Sequence, residues 1–237
     1  MKNKTVYITG GTKGIGFGIA EILLKNGYKV AISGRNTEDI KKAETELKNI
    51  SENIIGIQSD VRNFEDEQQA VSKIVEKFGS LDIVIANAGL GIFKPVDELS
   101  LEDWNAMTDT NLTGCFHTLK ATVEELKKTE GYYITISSLA GTNFFENGSG
   151  YNASKFGVVG FTQAAMIDLR KYNIKVSTIM PGSVATYFNG NIPSEKDEWK
   201  IQPEDLGNLI IDLLKMNPRV LPSKVEIRPS RPQPNRL

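Results

Sequence analysis

The 237-residue chain has a single cysteine, Cys115, and a single histidine, His117. One cysteine excludes an intrachain disulfide, and one histidine excludes a multi-histidine metal site. No metal is expected, and a Cys-His or Ser-His nucleophilic pair is disfavoured. An excess of charge of either sign is also missing: 28 Lys plus Arg against 29 Asp plus Glu give a formal charge of −1 and a sequence pI of about 6.0. That balance carries no electrostatic footprint for nucleic acid or for an anionic membrane. Nowhere is there a run approaching the roughly 18 to 20 apolar residues of a membrane helix. The opening Met1-Lys2-Asn3-Lys4-Thr5-Val6-Tyr7-Ile8-Thr9 holds only a three-residue apolar run, which reads as a strand start and not as a signal peptide. A reduced, cytoplasmic setting is the default expectation. No Ser/Gly/Pro linker and no internal repeat divides the chain, so one domain over residues 1–237 is expected, ending in an extended Pro/Arg tail at 228–237.

With 40% hydrophobic and 24% charged residues, the chain is able to bury a sizeable core. Short β-branched runs alternate with amphipathic stretches. Strands are expected at Val6–Ile8, Lys29–Ile32, Ile54–Ile57, Ile83–Ile85, Tyr133–Ile136, Val176–Ile179 and Lys224–Ile227, with helices over 15–26, 37–49, 64–78, 101–128, 151–171 and 203–216. Strands alternating with helices of this length predict an α/β, doubly wound, Rossmann-like parallel sheet of about seven strands with helices on both faces. Residues 182–200 break the rhythm just beyond a strand end, where such folds bind ligands; they read either as a lid or as a surface loop.

After the first strand comes Thr9-Gly10-Gly11-Thr12-Lys13-Gly14-Ile15-Gly16, followed at once by an apolar helix. Glycines let backbone turn sharply and approach a pyrophosphate, and a helix N-terminus offers it free N–H groups. The spacing departs from G-x-G-x-x-G, and without a Gly-Lys-Ser/Thr step a P-loop NTPase is disfavoured. The same turn can also be a tight connection without a ligand. After the second strand, Ser33-Gly34-Arg35-Asn36 lacks the acidic residue that often holds the ribose hydroxyls of NAD. Arg35, aided by Lys13, suits a 2′-phosphate, so NADP(H) is expected in preference to NAD(H).

Tyr151 is the one tyrosine of seven with a lysine four residues on, Lys155, which places phenol and ammonium on one helix face. A phenol titrates near 10, and a cation within hydrogen-bonding range lowers that by about 1 to 3, giving a workable proton donor and acceptor. Ser138 follows the strand at Tyr133–Ile136 and has a hydroxyl suited to a substrate carbonyl.

These residues together resemble the short-chain dehydrogenase/reductase family of the single-domain type, over nearly the whole chain. Thr9-Gly10-x-x-x-Gly14-x-Gly16 is similar to its cofactor turn, Asp60-Val61 to its adenine-contacting pair, and Asn87-Ala88-Gly89 to the turn after its fourth strand. Asn111 in Asn111-Leu112-Thr113-Gly114 resembles its helix asparagine. Ile136-Ser137-Ser138 with Tyr151-x-x-x-Lys155 resembles its catalytic core, and Pro181-Gly182, with Val184 and Thr186, its nicotinamide-side turn.

The resemblance implies hydride transfer between NADP(H) and a carbonyl or secondary alcohol. Tyr151 would be the general acid/base, Lys155 would lower its pKa and hold the nicotinamide ribose, Ser138 would orient the carbonyl, and Asn111 would hold a water linking the lysine to solvent. Thr12 and Ile15 join the cofactor-binding residues. A homodimer or homotetramer packed through 101–128 and 151–171 is implied as well. Phe93, Phe144, Phe145, Tyr187, Phe188 and Trp199 fall in segments that line the substrate cleft of the resembling fold, suggesting a bulky or apolar substrate, though ordinary packing accounts for any one of them. Cys115 and His117 read as structural. Two alternatives stand beside the carbonyl reductase: reduction of a 3-oxoacyl carrier protein, and a non-catalytic NADP-binding regulator. The Pro/Arg tail departs from the glycine-rich ending common in the family.

Overall fold

The computed structural model describes residues 3–231. Seven β-branched or aromatic segments form strands β1 (Thr5–Ile8), β2 (Lys29–Gly34), β3 (Ile54–Gln58), β4 (Ile83–Ala86), β5 (Tyr132–Ile136), β6 (Lys175–Pro181) and β7 (Lys224–Ile227). They make one sheet in the order β3-β2-β1-β4-β5-β6-β7, every neighbouring pair parallel. The doubly wound parallel sheet expected from the alternation is the one observed.

Parallel strands joined by crossover helices are covered on both faces, so their residues are buried whichever way they point. All of β1, β4 and β5 is buried, whereas the edge strand β7 alternates exposed and half-buried positions. Val6, Ile8, Val30, Ile32, Ile83 and Ile85 face one apolar layer with Ile19 and Leu23 of α1 (Gly14–Lys25) and Leu206 and Ile210 of α7 (Pro203–Lys215). The intervening Tyr7, Ala31 and Val84 face the other layer, with Ala70 and Ile74 of α3 (Phe64–Phe78), Leu119 of α5 (Gly114–Thr129) and Val158 of α6 (Ser149–Leu169).

Most helix starts are satisfied locally. Asn36 caps α2 (Thr37–Lys48), Asn63 caps α3, and Ser100 caps α4 (Leu101–Met107); each side chain accepts from backbone N–H groups of the first turn, which also carries acidic residues. Helix α1 has neither a capping side chain nor an acidic residue in its first turn.

The continuous helix expected over 101–128 is not found. A π-helical turn at Thr108–Thr113 separates α4 from α5. At its centre the buried Asn111 carboxamide accepts from Leu90 N (2.8 Å) and donates to Leu90 O (2.9 Å) and Ser154 Oγ (2.9 Å). These bonds favour a widened turn that carries the side chain to the segment after β4; apolar periodicity does not report such a turn. Residues 182–200 hold two 3₁₀ turns, Phe188–Gly190 and Glu195–Asp197, and a bridge from Val184 to Ile201 ties the segment's ends together. Of the expected tail, 228–231 is irregular, and 232–237 lies outside the described residues. Among the described residues no helix is long and apolar enough to cross a membrane.

Candidate active site

Strand order reverses between β1 and β4, and a cleft of about 1700 Å³ opens at the carboxyl ends of the strands there. Its floor is the glycine turn. Gly10 and Gly14 have φ of +63° and +57°, the left-handed region that other residues adopt only with strain. The turn is stitched to the end of β4: Thr9 Oγ1 accepts from Asn87 N (3.0 Å) and Ala88 N (3.1 Å), and Asn87 Nδ2 donates to Thr9 O and Gly10 O. A side chain at Gly16 would come within 2.5 Å of Gly10 O, so Gly16 supports the turn from behind instead of lining the cleft. The uncapped N-terminus of α1 therefore points free N–H groups into an open, curved backbone cradle, a fit for a pyrophosphate.

Beyond the turn lie the ends of β2 and β3. Arg35 and Lys13 line the cleft there. Among the described residues neither takes part in an ion pair. Asp60 does: Arg62 Nε donates to both of its carboxylate oxygens at 3.0 Å. That guanidinium, more than any other neighbour, holds the Asp60 carboxyl below the usual carboxylate range. Arg62 itself lines the cleft and is a site residue the motif reading did not single out. Under this floor sits a fully buried carboxylate, Glu67, also missed. It accepts from Tyr7 Oη (2.9 Å), Ser59 Oγ (2.6 Å) and Thr118 Oγ1 (2.9 Å), and burial raises its pKa.

Ser138, Tyr151 and Lys155 line the other end of the same cleft. Helix α6 presents Tyr151 and Lys155 on one face, as their spacing requires, and Ser138 follows β5. The expected lowering of the phenol pKa by the lysine is absent from this arrangement. Burial pushes Tyr151 up to about 12, with the Ser138 hydroxyl acting in the opposite direction. Lys155 Nζ instead donates to Ile136 O (3.0 Å), and it stands 5.8 Å from the Tyr151 ring centroid. Burial lowers the Lys155 ammonium to about 8. Asn111 sits behind the lysine and outside the cleft wall. A Cβ at Gly89 would meet Asn111 Oδ1 at 3.1 Å and Lys155 Nζ at 3.5 Å, which shows how closely these groups gather.

Thr12, Ile15, Val61, Ala88, Gly89, Pro181, Gly182, Val184 and Thr186 all line the cleft; of the expected set, Gly16 and Asn111 stand behind it. Phe93, Phe144, Phe145, Tyr187 and Phe188 also line it, whereas Trp199 does not. Cys115 is buried, its thiol pushed up to about 11, and His117 Nδ1 lies 3.0 Å from Val61 O, both structural placements.

The family model described as short chain dehydrogenase matches residues 4–197. An uncharacterised oxidoreductase of Staphylococcus saprophyticus is 30% identical, covering 97% of this chain and 98% of its own. The trans-4-hydroxycyclohexanecarboxylate dehydrogenase of Sinomonas cyclohexanicum is 34% identical over 90% of this chain and 86% of its own length. Among solved structures, an alcohol dehydrogenase from the archaeon Thermococcus sibiricus, complexed with 5-hydroxy-NADP, superposes with a TM-score of 0.90 at 31% identity, covering 98% of this chain and 99% of that one. A serine dehydrogenase complexed with NADP+ superposes at 0.86 with 28% identity, over 95% and 94% of the two chains. The chain belongs to the short chain dehydrogenase family of oxidoreductases.

Proposed function

We propose that the chain is an NADPH-dependent carbonyl reductase, able to run in reverse as a secondary-alcohol dehydrogenase, with Tyr151 as general acid/base. The observation that carries this reading is the meeting of Ser138, Tyr151 and Lys155 at one end of a cleft whose other end is an uncapped helix N-terminus with Lys13 and Arg35, neither of them in an ion pair among the described residues. Bound there, the reduced nicotinamide supplies the hydride.

Each protein group has a task that its surroundings suit. A phenol held at about 12 is fully protonated at neutral pH, so Tyr151 is loaded to protonate a forming alkoxide, a far stronger base than phenolate. Ser138 Oγ accepts from Ala140 N (3.1 Å), which leaves its own O–H available to donate to a substrate oxygen. Lys155, lowered to about 8, still carries its proton at neutral pH; in this reading it bonds a ribose hydroxyl and returns a proton to the phenol. Asn111 has spent both N–H donors on Leu90 O and Ser154 Oγ and keeps one lone pair on Oδ1; it fixes the segment beside Lys155.

NADPH over NADH is supported by Arg35 at the β2 end with Lys13 of the glycine turn and by the absence of a carboxylate at Gly34, and three similar structures above 25% identity hold NADP-type dinucleotides. A homodimer or homotetramer is supported by Phe116 of α5 and Phe156 and Ile167 of α6, large apolar side chains exposed on the helices expected to pair. Light scattering on the purified chain tests the assembly. The activity is tested by following dinucleotide oxidation at matched NADPH and NADH concentrations against ketones, aldehydes, quinones and 3-oxoacyl thioesters. Turnover of a carbonyl compound with NADPH preferred supports the reading; turnover of none with either dinucleotide overturns it.

A further inference from the structure

Three segments far apart in the chain bring aromatic rings to Tyr151. Phe93 comes from the stretch after β4, Phe145 from that before α6, and Phe188 from the turn after β6. Phe93 stands edge-on to Tyr151, with centroids 5.4 Å apart and planes at 87°, and edge-on to Phe145 at 5.5 Å and 71°. Phe188 closes the group, 5.8 Å from Tyr151 and 6.4 Å from Phe93. Edge-to-face contacts of this kind satisfy the ring quadrupoles. Two of the rings rest on glycine: a Cβ at Gly91 would come within 2.6 Å of Phe188 Cζ, and one at Gly148 within 2.7 Å of Phe145 Cε2. The backbone leaves room for the rings to sit where they do.

These rings are not core residues. Phe145 is 47% exposed and Phe188 38%, and both line the cleft. They hold apolar area against water at the place where a substrate would cover it. Charge is committed elsewhere: outside the glycine turn with Lys13 and the β2 and β3 ends, the charged cleft-lining side chains are Lys155, bonded to Ile136 O, Lys200, paired with Asp197, and Arg228, paired with Glu226. The cleft-lining cations without an ion pair among the described residues, Lys13 and Arg35, belong to the glycine turn and the β2 end.

We infer that the substrate is an uncharged aryl ketone, its carbonyl carbon bonded to or one carbon removed from an aromatic ring; the inference rests on the reductase reading above. Phe93 and Phe188 pack against the ring that carries the Tyr151 hydroxyl, with centroids 5.4 and 5.8 Å from it, so a carbonyl oxygen bonded to that hydroxyl brings the group attached at or next to the carbonyl toward the same rings. A flat ring there gains edge-to-face contact as well as area, whereas an aliphatic ring of equal size gains area alone, and a carboxylate would be desolvated without a partner. The ketone gains a hydride at carbon and a proton at oxygen, and a reduced nicotinamide dinucleotide is oxidised in exchange.

The test compares phenylacetone with cyclohexylacetone, matched in size and carbonyl reactivity, and with phenylpyruvate as the anionic aryl ketone, each with NADPH and with NADH. Phenylacetone is expected to show a kcat/KM roughly two- to tenfold above cyclohexylacetone, the gain of one aromatic pair, and phenylpyruvate to be the poorest. Phe188→Leu and Phe145→Leu should raise KM for phenylacetone by more than they raise it for cyclohexylacetone, so that the preference between the two ketones shrinks toward one. Equal or better use of cyclohexylacetone or phenylpyruvate, or a preference for phenylacetone over cyclohexylacetone that is unchanged in the variants, overturns the aryl assignment and leaves the reductase standing. If no ketone, aldehyde or 3-oxoacyl thioester is reduced with either dinucleotide, the reductase reading falls and the aryl assignment falls with it.

Discussion

Replacing Lys155 by methionine should make the protein more stable while destroying its chemistry. The ammonium is fully buried and lowered from an ordinary 10.5 to about 8, chiefly by desolvation. At about 1.36 kcal/mol per tenfold change in acidity, that shift is a penalty on the order of 3 kcal/mol against the charged form in the folded state. Methionine keeps the length and apolar stem but loses the charge-assisted bond from Nζ to Ile136 O, worth about 1.5 to 3 kcal/mol. The net gain at neutral pH is therefore up to about 2 kcal/mol, or at most roughly 4 to 8 °C in melting temperature for a chain of this size. The sign with pH is fixed by the direction of the shift. Folded Lys155 releases its proton at about 8 and unfolded Lys155 only near 10.5, so the folded state binds fewer protons between those values and the native protein recovers stability as pH rises through them. Below about 8 the penalty is fully present. Thermal unfolding by circular dichroism, without dinucleotide and at one protein concentration, should show Lys155→Met above the native protein near neutral pH and the gap closing toward pH 10.5. A variant less stable at neutral pH, with a difference that does not change with pH, would refute the reasoning.

Other perturbations bear on separate parts of the structure. Arg35→Ala removes a charge-assisted bond worth roughly 1.5 to 3 kcal/mol, so NADPH binding measured by fluorescence titration should weaken about ten- to a hundredfold while NADH is nearly unaffected; equal weakening of both contradicts the 2′-phosphate role. Glu67→Gln keeps an acceptor for Tyr7 and Ser59, and Thr118 Oγ1, which also donates to Gly114 O, remains free to accept from the amide. Because burial raises the Glu67 pKa above its ordinary 4.5, the folded state holds the proton longer than the unfolded one, and native stability drops as pH rises through the carboxyl range. Denaturant titrations should show the glutamine variant gaining on the native protein from acid toward neutral pH, and a gap moving the other way would count against it. Asn111→Ala strands Leu90 N, Leu90 O and Ser154 Oγ and should cost about 2 to 3 kcal/mol in the same assay; a loss below about 0.5 kcal/mol would mean those bonds are replaced.

Much of this was legible in the sequence because it is local and periodic. β-Branched runs became buried parallel strands, and the Tyr151 and Lys155 spacing put both on one face of α6. The glycine turn was legible because left-handed backbone at Gly10 and Gly14 demands that residue. What escaped depends on groups meeting across the fold. The π-helical turn at Thr108–Thr113 answers to Leu90 and Ser154, which no window around Asn111 contains. Glu67 looks like one more acidic residue of a helix start rich in them, and only the packing of α3 on β1 and α5 shows that it is buried beneath three hydroxyls. Lys155 finds Ile136 O before it finds the phenol, so the pair's electrostatics differ from what spacing alone suggests. The resemblance led to the expectation of Phe93, Phe145 and Phe188 at one cleft, but their packing against the Tyr151 ring joins three loops and is reported by no local window.

The central claim is that Tyr151 moves the proton, and the direct test is Tyr151→Phe in the dinucleotide oxidation assay with the best carbonyl substrate found. The variant keeps the ring and its contacts with Phe93 and Phe188, so dinucleotide binding by fluorescence titration should persist while turnover falls about 10²- to 10⁴-fold. Turnover within about twofold of the native protein, with binding intact, would contradict the account.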